Sequence, residues 1–149
     1  MTDFDRPLND RGRLAAPFMG DLIASKGFSI SVILCSPAER AKETAMLVKD
    51  HSGIEVPVHF DERIYEARPQ GLTQVISELD DSFESAMVVG HNPGMEGLIR
   101  LLTGNIEAMP TAALAVVDLG IDSWRDVNAG SGTLRAVHRP KEEAKNFSI

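Results

Sequence analysis

The chain of 149 residues contains a single cysteine and no run of basic side chains. Cys35 alone cannot form a disulfide within the chain, so we expect a protein of the reducing cytoplasm. The formal net charge is −7. Nucleic acid binding requires a positive surface that neutralises phosphates, and the composition argues against such a partner. An acidic protein can still bind a phosphate ester in a small pocket with a few well placed donors.

Long apolar segments are also lacking. No run approaches the length of about 20 residues that spans a membrane, and no basic segment followed by an apolar one marks a signal peptide. The sequence has neither a glycine-rich nucleotide fingerprint nor a P-loop, and its histidines are not spaced as metal ligands with Cys35 or with one another. With 43% hydrophobic and 25% charged residues, we expect one globular domain over residues 1–149 and no membrane partner.

Short β-rich runs alternate with helical stretches, which is typical of an α/β layer fold. Strands are predicted over residues 32–35, 56–60 and 86–89, and later over 113–119 and 133–138. Helices are predicted over residues 10–25, 37–49, 72–79 and 92–104. In the first helix we expect Asn9 as the cap, Gly27 near the end, and a kink or an early break at Pro17.

The first stretch that could carry chemistry is the run 36–45 (SPAERAKETA), which follows a predicted buried strand. Ser36 is a good N-cap, Pro37 suits the first helical position, and Glu39 completes a capping box. Arg40 lies in the first turns, where free backbone amides attract anions and a guanidinium would bind phosphate through two bonds. The alternative is an arginine on a solvated helix face, because capped helices after strands are common in α/β folds.

The second stretch is the run 88–96 (VVGHNPGME). His91 follows a predicted buried strand and precedes a helix that Asn92 is expected to cap, so it lies where ligands bind in open α/β sheets. Because a helix start disfavours the imidazolium, a bound phosphate dianion would be needed to charge His91. The alternative is a structural histidine, but the flanking glycines and the matching site after another strand favour a ligand site.

Acidic side chains cluster in the run 60–67 (FDERIYEA). If this loop closes over a phosphate site, Glu62 or Glu66 could donate a proton to the leaving group, and spacing does not choose between them. A solvated loop is the alternative, since charged groups after a strand are usually exposed. The other three histidines of the chain lack a setting comparable to that of His91.

Together these stretches resemble the motifs of a known family, the histidine phosphatases. The run 36–45 is similar to their SPxxRAxETA motif, and 89–93 (VGHNP) is similar to their second-histidine motif. The run 5–12 (DRPLNDRG) is similar to the RPLxxxG segment before their first helix. The run 62–67 is similar to a loop of the phosphoglycerate mutase branch, with Glu62 at the place of its acid, so that Glu62 is the first choice for the proton donor and Glu66 the second. The motifs come in family order over nearly the whole chain. Its short length resembles the SixA-like branch, which removes phosphate from phosphohistidine in signalling proteins.

The resemblance implies a three-layer α/β/α fold with a mainly parallel sheet and a reaction through a phosphohistidine intermediate. Arg40 would grip the phosphate, and His91 would hydrogen bond to the phosphoryl oxygens. Ser36 would shape the pocket rim, and Arg6 would lie near the site. No metal or organic cofactor is implied. The substrate would be a protein that carries phosphohistidine, with a small phosphate ester as second choice.

One part of the family pattern has no counterpart in this sequence. The first strand of the family ends in an Arg-His-Gly or Arg-His-Ala motif, whose histidine attacks phosphorus and whose arginine is a second phosphate clamp. This sequence reaches the run 5–12 without an Arg-His pair before it. We therefore expect no nucleophilic histidine, and an open slot in the core where that central strand would lie.

Three explanations of this departure remain open. A start assigned too late or a shortened sequence is favoured, because the rest of the site is intact. The third is a remnant that binds phospho-ligands without turning them over, which would make the protein a regulatory module. A mutase-like enzyme acting on small phosphate esters is a further alternative for the function.

Overall fold

Helices and strands alternate along the chain in the computed structural model, which describes residues 1–147 and the side chains of residues 1–144. The helices are α1 (Asp10–Lys26), α2 (Glu39–Ser52), α3 (Pro69–Ser77), α4 (Gly94–Thr103) and α5 (Pro140–Phe147). The strands are β1 (Val32–Cys35), β2 (Val58–Phe60), β3 (Ala86–Val89), β4 (Leu114–Leu119) and β5 (Gly132–His138), and short 3-10 turns span Glu62–Ile64 and Trp124–Asp126. Over the described residues, no helix combines the length and the apolar character that crossing a membrane would require.

A parallel sheet with the strand order β2-β1-β3 forms the centre of the fold. All four residues of β1 are buried, as expected for a strand that is paired on both sides and covered on both faces. β4 and β5 form a separate antiparallel pair with an irregularity between Val116 and Val117. The predicted α/β fold with a parallel sheet is confirmed, and the late pair of strands forms a sheet of its own.

Helices cover both faces of the parallel sheet. β1 contributes side chains to both faces, because successive side chains of a strand point to opposite sides. Ile33 and Cys35 pack against α2, which in turn contacts α1. Leu34 points the other way, into a cluster with Leu72 of α3 and Leu98 of α4. The three-layer arrangement implied by the resemblance is therefore present.

α1 begins and ends where its capping residues predict. The Asn9 side chain accepts a hydrogen bond from the Gly12 N–H at 2.9 Å, and Gly27 adopts the left-handed conformation with φ 68°. The early break expected at Pro17 is wrong, since α1 continues through it. Proline removes one helical hydrogen bond, but the neighbouring Ala16 is fully buried in the core, and this packing holds the helix together.

The predicted capping of α2 by Ser36 is wrong. The helix begins at Glu39, with Ala38 at the cap position and no side-chain capping bond. Ser36 is fully buried at the end of β1, where its hydroxyl accepts a hydrogen bond from the Ala38 N–H at 3.2 Å. The capping box with Glu39 therefore does not form, because the Ser36 hydroxyl accepts its hydrogen bond within the turn between β1 and α2.

α4 begins at Gly94, two residues later than predicted. Asn92 lies just outside the helix, yet its side-chain oxygen accepts a hydrogen bond from the Glu96 N–H at 3.2 Å. At the other end Gly104 closes the helix in the left-handed conformation with φ 79°, as expected.

β3 and β4 are not paired with each other, although both strands contribute to the same core. Met87 of β3 and Leu114 of β4 pack on the side of α1, whereas Val88 and Leu119 pack on the side of α3 and α4. A cavity of about 910 Å³ lies between the two strands. The open slot expected from the sequence is therefore present next to β3.

Candidate functional site

The ends of two neighbouring strands bring Ser36 and His91 together. β1 and β3 are parallel, and the Ser36 N–H donates to the Val89 carbonyl at 3.0 Å. The residues that follow both strands therefore lie at one edge of the sheet, and His91 Nε2 is 2.7 Å from Ser36 Oγ. The two stretches singled out in the sequence thus meet at one place.

Arg40 lies in the first turn of α2, and its guanidinium binds a residue near the amino end of the chain. Nη1 donates to the Asp3 carbonyl oxygen at 2.8 Å, and Nη2 donates to Asp3 Oδ2 at 3.2 Å. The Tyr65 hydroxyl donates to the same carboxylate oxygen at 2.7 Å. Arg6 pairs with Asp3 Oδ1 at 3.1 Å, but its side chain is 61% exposed, compared with 22% for Arg40. A guanidinium and a phenol hydroxyl therefore converge on one carboxylate.

Aromatic rings line this site on the side of the loop that follows β2. The Tyr65 ring stands perpendicular to the Phe4 ring, with centroids 5.1 Å apart, and to the His91 ring, with centroids 5.6 Å apart. Ile64, only 1% exposed, anchors the loop in the core beside α3 and α4. The loop also passes close to the start of α4, where a Cβ on Gly94 would lie 2.5 Å from the Ala67 carbonyl oxygen.

The electrostatics of the site favour a neutral His91 and a protonated Tyr65. Burial lowers the pKa of His91, and the positive charge of Arg40 lowers it further, while Asp3 and Glu66 act in the opposite direction. The hydrogen bond to Asp3 raises the pKa of Tyr65 to about 12, so the phenol remains a donor. The same hydrogen bond and the charge of Arg40 lower the pKa of Asp3, which is therefore ionised near neutral pH.

The two candidate acids have different surroundings. The charge of Glu66 acts on both His91 and Tyr65. Its backbone has φ 54°, in the left-handed region that residues other than glycine seldom adopt. The Glu62 side chain is exposed and forms no hydrogen bond or ion pair with another described residue. Glu66 is thus the carboxylate whose charge reaches the site.

The remaining histidines lie elsewhere in the structure. His51 is 3.3 Å from Asp21, His138 is 2.6 Å from Glu143, and the exposed His59 contacts a phenylalanine ring. Within residues 1–147, His91 is therefore the only histidine at this site, and no three His, Cys, Asp or Glu side chains are grouped as metal ligands.

Sequence reasoning missed Asp3 and Tyr65. Tyr65 lies between the two candidate acids in the run 60–67, and its hydroxyl was a usable signal. Nothing near Asp3 in the sequence marks it, because its position depends on the amino-terminal segment folding back on α2. There the Glu39 N–H donates to the Phe4 carbonyl at 3.0 Å.

Comparisons with known proteins show the family to which the chain belongs. A family model, the histidine phosphatase superfamily (branch 1), matches residues 2–86. An uncharacterized protein of Mycobacterium leprae (strain TN) is 32% identical over 151 residues, which cover 95% of this chain and 91% of that protein. The chain belongs to the histidine phosphatase superfamily, as its motifs predict.

The chain is also similar to solved structures. The putative phosphohistidine phosphatase SixA from Agrobacterium tumefaciens matches with a TM-score of 0.80 and 26% identity, covering 94% of this chain and 87% of that one. A putative phosphohistidine phosphatase SixA from Nakamurella multipartitia matches with a TM-score of 0.85 and 20% identity, covering 94% and 88%. The chain therefore has the fold of these SixA proteins.

Proposed function

We propose that this chain, as one domain over residues 1–149, is a phosphatase of the SixA type that acts on phosphohistidine in a cytoplasmic protein. In the complete protein the phosphoryl group would pass through a phosphohistidine intermediate. One observation carries the proposal: Arg40 and Tyr65 both donate to a single carboxylate, that of Asp3. A site that gathers two donors around one anionic oxygen is equipped to hold a phosphoryl group.

Binding a phosphoryl group would replace the contacts that Asp3 now makes. Arg40 could then offer two N–H groups to phosphoryl oxygens, in the fork geometry that suits them. The negative charge of the ligand would raise the pKa of His91 and favour the doubly protonated ring as a donor to phosphoryl oxygen. Ser36 Oγ, at 2.7 Å from Nε2, would hold the ring in position at the rim. Arg6 would add a more distant positive charge.

The leaving imidazole of phosphohistidine must receive a proton when the bond between phosphorus and nitrogen breaks. Glu66 is supported as the donor in its protonated form, because it lies close enough to the site to affect the pKa values of His91 and Tyr65. Glu62, at the place of the acid in the mutase branch, is the alternative donor. A working Glu62 would favour a small phosphate ester as the substrate, as in a mutase-like phosphatase.

The substrate class is supported by the solved proteins named as putative phosphohistidine phosphatases that share this fold. The net charge of −7 argues against nucleic acid as a partner. The chemistry needs no metal or organic cofactor, because positioning and matched donors can stabilise phosphoryl transfer.

A second candidate is a module that binds phosphate without turning it over. One observation favours it: within residues 1–147 the site contains one histidine, and that histidine is engaged with Ser36. No other imidazole in the described part of the chain is placed to attack phosphorus.

The deciding experiment follows one phosphohistidine peptide in two ways, through its binding and through the release of inorganic phosphate. Release that disappears in His91→Ala would support the phosphatase and show that the usual nucleophile is not required. Binding without release would favour the module for the 149-residue chain. Adding a strand that ends in an Arg-His pair should then restore turnover if the complete protein is an enzyme. Absence of both binding and release would contradict both candidates.

A further inference from the structure

Three rings form a row beside the anion of the site. The Phe4 and His91 rings both stand perpendicular to the Tyr65 ring, with centroids 5.1 Å and 5.6 Å from its centroid. The Tyr65 hydroxyl donates to the Asp3 carboxylate, which uses the donors that the proposed function assigns to a phosphoryl group. Phe4 is the exposed end of this row and is the next residue in the chain after that anion.

The backbone of Phe4 is fixed, although the residue is 37% exposed. Its carbonyl accepts a hydrogen bond from the Glu39 N–H at 3.0 Å. The Asp5 N–H donates to the Thr2 carbonyl at 3.2 Å, which closes a turn around Phe4. A ring held by its backbone and by an aromatic neighbour loses little further freedom on binding, so its free surface is suited to a flat ligand.

Phe4 can keep its position when a phosphoryl group replaces the Asp3 carboxylate. The carboxylate belongs to a side chain that can rotate away, whereas Phe4 is held through its main chain by the bond from Glu39. The phosphoryl oxygens would face the donors of the site, so the fourth substituent on phosphorus would point to the open side. That substituent is the leaving group, and Phe4 is exposed next to it.

We propose that Phe4 is a specificity-determining residue, which packs against a flat aromatic leaving group such as the imidazole of phosphohistidine. The inference rests on the proposed function, because it requires a phosphoryl group at Arg40. Rings that meet edge to face or in an offset stack attract each other beyond the apolar area that they bury. A short alkyl leaving group, as in phosphoserine, lacks this attraction. The site therefore selects phosphorylated rings over alkyl phosphates.

The affinities of phenylphosphonate and methylphosphonate for the 149-residue chain test the proposal. Both compounds carry a bond between phosphorus and carbon that a phosphatase does not hydrolyse, and isothermal titration calorimetry measures their binding. We expect phenylphosphonate to bind more tightly. In Phe4→Leu the ratio of the two affinities should fall about two- to tenfold, because leucine is apolar but has no ring. The affinity for methylphosphonate should stay the same.

Phe60→Leu is the matched control. Phe60 is 45% exposed, and its ring lies under the Lys42 ammonium, 5.6 Å from the centroid. This variant should keep the ratio of the parent chain. An unchanged ratio in Phe4→Leu, or an equal fall in both variants, would overturn the role of Phe4 and leave the phosphoryl site intact. Absence of binding by both phosphonates would overturn the proposed function and this inference with it.

Benzylphosphonate distinguishes two sources of the ring. It has one carbon between the ring and phosphorus, where phosphotyrosine has an oxygen. In phenylphosphonate, as in phosphohistidine, the ring is bonded to phosphorus directly. Tighter binding of phenylphosphonate than of benzylphosphonate would support phosphohistidine as the source. The reverse order would overturn that assignment.

Discussion

The Asp3 carboxylate lies against the Arg40 guanidinium, with Oδ2 at 3.2 Å from Nη2, while the Asp3 carbonyl oxygen is 2.8 Å from Nη1. An internal anion thus uses the donors that an anionic ligand would need. The relationship also explains why Tyr65 keeps its proton, since its hydroxyl donates to the same carboxylate. Competition between Asp3 and a ligand is the direct consequence.

Removal of this internal anion should strengthen the binding of an oxyanion. We expect Asp3→Ala to bind tungstate about two- to fivefold more tightly, the range that follows from losing an exposed ion pair. Isothermal titration calorimetry measures the change. Asp5→Ala is the matched control, because this substitution removes the same charge from the same segment. The Asp5 carboxylate is hydrogen bonded to Thr2. Equal gains in both variants would mean that only net charge matters.

Arg40 should be indispensable for anion binding. We expect Arg40→Ala to lose detectable tungstate binding, since the variant lacks the fork of donors that meets the anion. Lys42→Ala should bind nearly as well as the parent chain. Lys42 is on the same helix and carries the same charge, but its ammonium lies over the Phe60 ring, 5.6 Å from the centroid. Similar affinities in the two variants would show that the site is elsewhere.

The lowered pKa of His91 should appear in the pH dependence of stability. In the folded chain the pKa of His91 is lower than its ordinary value of 6.5. The unfolded chain therefore binds more protons as the pH falls below that value. The contribution of the neutral ring is complete above about pH 6.5 and is lost as the pH falls through the folded pKa.

Urea unfolding of the His91→Gln variant tests this linkage. We expect the unfolding free energy to fall less between about pH 7.5 and about pH 5 in this variant than in the parent chain. Glutamine can still hydrogen bond to Ser36 but does not titrate. His59→Gln, at an exposed position, should show the same fall of the unfolding free energy with pH as the parent chain. If His91→Gln also showed the full fall, another group would be responsible for it.

Two glycines should respond in opposite ways to replacement by alanine. Gly94→Ala places a Cβ 2.5 Å from the Ala67 carbonyl, a backbone atom, and we expect a loss of about 1–3 kcal/mol. Gly71 in α3 has no atom within 4 Å of an added Cβ, so Gly71→Ala should raise stability by up to about 1 kcal/mol. Denaturant melts compare the two.

Gly94→Ala should also weaken tungstate binding, because Ala67 closely follows Tyr65. A stable Gly94→Ala would mean that the loop does not press on α4.

Much of the fold was predictable because its elements are encoded locally. Strands β1 and β3 have the predicted bounds, although β3 is only half-buried, and Asn9 and Gly27 mark the ends of α1. Arg40 and His91 could be singled out because each follows a strand in a parallel sheet, where neighbouring strand ends meet. The residues that Arg40 and His91 contact could not be predicted to the same degree.

The sequence by itself determined the motif stretches, the strands, four of the five helices described and the family to which the chain belongs. Periodicity and capping depend on residues a few positions apart, so they can be seen without a structure. Only the tertiary structure decided that Ser36 contacts His91 instead of capping α2, and that Asp3 lies against Arg40. It also decided that the charge of Glu66, not that of Glu62, reaches the site, and that β3 and β4 stand apart. These features join residues far apart in the chain, and the packing of whole layers decides which of them meet.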